Sequence, residues 1–122
     1  MSYSRKSSLP VLAALLLTGT ALPAGAQQAD PTFPGLVLSH GDLFTNEVGT
    51  VMGVTVANNT AATVGSVGVS CAFTARGKPA GSAGTTIYNI VAGATGQDRV
   101  NLMGPRADAA TCAITSTGAP LN

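Results

Sequence analysis

Val67, Val69, Cys71 and Phe73 occupy every second position of the chain, with Gly68, Ser70, Ala72 and Thr74 between them. A period of two sends the first set to one side of an extended backbone and the second to the other. The segment is therefore a strand with one apolar face and one small, polar face. A helix would scatter the same residues around its whole circumference. The pattern recurs across residues 48–57, where Val48, Thr50, Met52, Val54 and Val56 share one face and Gly53 and Thr55 lie on the other. Shorter versions appear at 36–39, at Val100 and Leu102, and at Ala110, Cys112 and Ile114. Residues 82–91 carry Ile87, Tyr88, Ile90 and Val91 in an order that leaves their facing open. Between these runs stand turn formers: Asn58-Asn59-Thr60, Gly77-Lys78-Pro79, Ala92-Gly93-Ala94 and Gly104-Pro105. Residues 40–47 read as a polar loop that includes Leu43 and Phe44. Short strands separated by turns, with no helical period, predict an all-β antiparallel sandwich or small barrel of six to seven strands.

The first 26 residues read as an export signal. Arg5 and Lys6 precede an apolar stretch over 9–22, and Ala24-Gly25-Ala26 supplies small residues before Gln27. The uncharged run falls short of the ~20 residues that cross a bilayer, so no membrane span is expected after cleavage. Residues 27–35, with Pro31 and Pro34, read as a flexible leader, and 36–122 as one β-domain. Without the signal, four basic residues (Arg76, Lys78, Arg99, Arg106) face five acidic ones (Asp30, Asp42, Glu47, Asp98, Asp108), so the precursor's charge of +1 becomes −1. Such a balance gives no electrostatic grip on nucleic acid or an anionic membrane.

Both cysteines, Cys71 and Cys112, fall in the exported part, and an even count in an oxidising compartment reads as one disulfide. Two inward-facing cysteines can bond only if their strands are adjacent or face each other across the core, which favours a sandwich over an open meander. A redox pair is expected two residues apart, and a structural zinc needs about four ligands, more than two Cys and one His supply.

Catalytic chemistry finds little support. In Ser39-His40-Gly41-Asp42 the residue types of a triad are present, but a triad needs side chains converging from separate places. A blue-copper centre needs two His, and His40 is the only one. No Trp offers a sugar-stacking surface and no phosphate loop occurs. No catalytic residue, cofactor or metal is assigned. His40, Asp42 and Glu47 remain as a candidate ligand-binding group on residues 40–47.

Val51-Met52-Gly53-Val54-Thr55-Val56-Ala57-Asn58-Asn59, then Val67-Gly68-Val69-Ser70-Cys71-Ala72-Phe73, then Gly77-Lys78-Pro79-Ala80-Gly81 resembles bacterial FxLYD-type immunoglobulin-like domains over residues 48–103. Ile90-Val91-Ala92-Gly93 resembles that family's apolar turn, and Thr74-Ala75-Arg76 stands where the family carries Leu-Tyr-Asp. The resemblance implies a small immunoglobulin-like sandwich outside the cytoplasm, with no activity to carry over. Two functions are expected from these readings. The first is a periplasmic or secreted, non-catalytic module that engages a protein partner through a sheet edge or a loop end. The second is a small-ligand or metal binder, or an inhibitor of a secreted enzyme, using residues 40–47.

Overall fold

The computed structural model describes residues 28–29 and 32–121; the export signal read at 1–26 lies outside them. The chain forms β1 (Gln28–Ala29), β2 (Leu36–Thr45), β3 (Gly49–Asn58), β4 (Val64–Ala75), β5 (Lys78–Ile90), β6 (Thr95–Met103) and β7 (Ala109–Gly118). One sheet has the order β1-β2-β3-β6 and the other β5-β4-β7, with every pair antiparallel. The sheets close on each other where β5 meets β6 and touch more lightly where β2 meets β7. The expected antiparallel sandwich is thus the fold.

The alternating residues make the core. Met52, Val54 and Val56 of β3, Val100 and Leu102 of β6, and Val67, Val69, Cys71 and Phe73 of β4 are all buried. Leu36, Leu38, Ile87, Ile90, Ala107, Cys112 and Ile114 complete it. Cys71 and Cys112 are direct cross-strand partners in the β4–β7 pair and form the disulfide.

Four local readings need correction. Val48 stands outside the core, 60% exposed in the turn before β3. The leader is engaged: Gln28 and Ala29 pair with Leu38 and Val37, and the half-buried Phe33 packs on the core. Residues 40–45 continue β2 instead of forming a loop. There Gly41 and Asp42 together oppose Gly53, a bulge of one extra residue. Beyond it the facing parity reverses, so Leu43 turns toward the core and Phe44 is left 66% exposed. Finally, Lys78 and Pro79 begin β5 rather than only ending the strand before it. Pro79 fits because β5 is an edge strand. The hairpin turns on Arg76 and Gly77, with φ of 53° and 78°. Two successive positive φ values make the tight turn whose twist matches its flanking strands, and Gly takes the second without strain.

Two polar side chains among the described residues are sealed inside. Thr50 accepts from the Ala107 amide at 2.8 Å and donates to the Pro105 carbonyl at 3.0 Å, tying down the segment that crosses between the sheets. Asn58 is fully buried at the other end. Its Nδ2 donates to the carbonyls of Ala62 and Ile90 at 2.9 and 2.8 Å, and its Oδ1 accepts from the Thr60 amide and hydroxyl. Asn58-Asn59-Thr60 is thus a turn whose first side chain acts as a plug.

A polar tie also joins the edges of the two sheets. The Thr85 hydroxyl of β5 donates to Asp98 of β6, and the Arg99 amide donates to the other carboxylate oxygen. These bonds, the Thr85 one first, hold the Asp98 carboxyl below its ordinary range. Its folded value lies below the unfolded value of about 4. The contribution is therefore complete above that value and is lost as pH falls through the folded one. The exposed position keeps it modest. Urea unfolding should find wild type more stable than Thr85→Val near neutral pH, with the gap narrowing by about pH 2. A gap that is constant across that range contradicts the assignment.

Candidate functional site

The β2 bulge and the start of β7 face one another on the lightly closed side of the sandwich. Between them lies a concavity of about 380 Å³. Leu43 and Ala110, both partly buried, contribute apolar surface, and His40, Asp42 and Asp108 contribute polar groups. The His40 ring is oriented by a hydrogen bond from Nδ1 to the Gly41 carbonyl at 2.9 Å. Asp108 is held in place by its own surroundings. Its amide donates to the Thr74 carbonyl, and its Oδ2 accepts from the Arg76 amide, both at 2.9 Å.

Of the three side chains singled out in the sequence, His40 and Asp42 line this concavity and Glu47 does not. Glu47 is exposed in the turn between β2 and β3, where Asn46 Oδ1 accepts from the Val48 and Gly49 amides. Asp108 takes the place expected for Glu47. It is far from His40 in sequence, and only the crossing from β6 to β7 brings it there. Among the described residues no group of three or more His, Cys, Asp or Glu side chains could hold a metal ion.

The neighbouring free strand edge has its own chemistry. Cys71 and Cys112 have Cα atoms 4.0 Å apart, the close spacing of a directly opposed pair that exchanges no backbone hydrogen bonds. The alternation then makes Val69–Ile114 and Phe73–Ala110 pairs of the same kind. At Ala110, Cys112 and Ile114 the amide and carbonyl groups therefore point away from β4, toward the open side of β7. β7 is the last strand of its sheet, and no turn or loop hydrogen bond among the described residues reaches these groups.

The other edges are defended. β5 opens with Lys78 and Pro79, β6 carries Asp98 and Arg99, and these two edges lie against each other. β2 is bulged and partly covered by β1. Charge, proline, bulges and cover are the usual means of keeping a sheet edge from pairing. From Ala109 to Ile114, β7 has no charge, no proline and no bulge; its one irregularity is the unpaired Thr115. Its outward face, Thr111 and Ala113, is small and exposed.

A separate apolar patch sits on the outer face of the larger sheet, where Phe44, Val48 and Met103 surround a depression of about 200 Å³. No helix among the described residues is long and apolar enough to cross a membrane. No family model matches the chain, and neither a curated protein nor a solved structure is significantly similar to it.

Proposed function

We propose that this chain is an exported, non-catalytic interaction module, periplasmic or secreted, that takes an extended segment of a partner protein onto the free edge of β7. The observation that carries this reading is the run of outward amide and carbonyl groups at Ala110, Cys112 and Ile114, on an edge that has no charge or proline from residue 109 to 114. Strand addition needs main-chain groups above all, so it suits a chain poor in reactive side chains. The signal-like first 26 residues and the disulfide support placement outside the cytoplasm. The resemblance to FxLYD-type immunoglobulin-like domains over residues 48–103, which span β3 to β6, supports a small sandwich outside the cytoplasm and carries no activity with it.

Hydrogen exchange on the disulfide-intact protein tests the reading. In the free protein Ala110, Cys112 and Ile114 should exchange faster than Thr111 and Ala113, whose amides face β4. A partner recovered on the immobilised protein from an extracytoplasmic extract should then slow exchange at the first three. Recovery of no specific partner, or of one that leaves those three amides exchanging freely, overturns it.

A further inference from the structure

The groove beside the β7 edge is one-sided in charge. Asp42 and Asp108 both contribute to it, and neither Lys nor Arg does. Arg76 gives Asp108 only its backbone amide. Asp108 Oδ1 and the whole Asp42 carboxylate carry no hydrogen bond from any described residue. A strand laid antiparallel on Ala110–Ile114 would pass this groove at its end nearest Ala110. There one of its inward side chains would meet Leu43 and Ala110, and the next residues would reach the two carboxylates.

Resting on the strand-addition reading above, we infer that the partner segment is a basic one: an extended stretch of another protein with a small apolar residue against Leu43 and Ala110 and a Lys or Arg beside Asp42 and Asp108. A second copy of this chain fits less well, because its own β7 has no cation to bring to that groove. Opposite charge placed at the end of a main-chain ladder fixes both the partner and the register, since like charge there is repelled.

The probe is a displayed library of random dodecapeptides selected on the immobilised, disulfide-intact protein. Three forms are compared: wild type, Ala110→Pro, and Asp42→Lys combined with Asp108→Asn. Proline at 110 removes an outward amide and leaves the β4 ladder in place, and Asn at 108 keeps an oxygen for the Arg76 amide. Wild type should enrich Lys and Arg, and a selected basic peptide should bind about tenfold more weakly once the charges are changed. The charge-altered form should enrich Asp and Glu instead. Ala110→Pro should lose enrichment altogether. If that variant does not fold, slowed exchange at Ala110, Cys112 and Ile114 on adding the selected peptide to wild type replaces it.

Enrichment that depends on the edge but is identical in wild type and the charge-altered form overturns the basic partner and leaves strand addition standing. No enrichment on wild type, or enrichment indifferent to proline at 110, overturns strand addition itself. A protein that dimerises alone in sedimentation, and stays monomeric as Ala110→Pro, assigns the edge to a second copy and overturns the basic partner.

Discussion

Phe73→Ala is expected to lower the free energy of unfolding by about 3–5 kcal/mol. Phe73 is the largest side chain sealed in the core, 1% exposed, and the only buried aromatic among the described residues. The remaining core is built from Val, Leu, Ile, Met, Ala and the two half-cystines. Its cross-strand neighbours are Gly81 on β5 and Ala110 on β7, so the ring fills space that neither neighbour occupies. With only hydrogen and methyl beside it, the site has little to fold into the void, and the cavity term adds to the lost transfer term. Urea unfolding with an unchanged slope should show the loss, and the melting temperature should fall on the order of 20 °C. A loss below about 1 kcal/mol would place the ring outside the core.

Removing the disulfide should have a comparable effect. Cys71 and Cys112 are separated by 41 residues, and the chain-entropy model gives about 4 kcal/mol for a loop of that length. Both residues are buried, so reductant should act slowly on the native protein and quickly once it opens. Guanidinium unfolding of Cys71→Ala with Cys112→Ala against wild type measures the difference, and thiol titration of native wild type should find no reactive thiol. Two reactive thiols would mean that the bond is absent in the folded protein. The bond also fixes the facing of β7. A slip of one residue against β4 would send Ala110, Cys112 and Ile114 out of the core and change which amides face the free side.

Much of this architecture can be read where one rule governs a whole segment. Val67 to Phe73 alternate without interruption, and the structure buries each alternate residue. The reading fails where a local irregularity changes the rule. The bulge at Gly41 and Asp42 reverses the facing of Leu43 and Phe44, so the strand looks like a polar loop with two stray hydrophobics. In β5, Asn89 takes a φ of 57° between Ile87 and Ile90, which buries residues three apart and blurs the alternation. Gly96 hides a packing role as well: a Cβ there would lie 2.6 Å from Ile87 and 2.9 Å from Ile90, so only Gly lets β6 approach β5. Asp108 and the undefended edge of β7 depend on strand order, a property that no single segment holds.

Asn58 bears on the order of events in the cell. Asn58-Asn59-Thr60 has the form of an acceptor for asparagine-linked sugar, yet the nitrogen that would carry the sugar is the one donating to Ala62 and Ile90. A glycan can be attached only while the end of β3 is still open, and a chain that received one could not afterwards close over it. In a host with that modification, transfer and folding would compete for the same atom. The outcome would be decided by which arrives first.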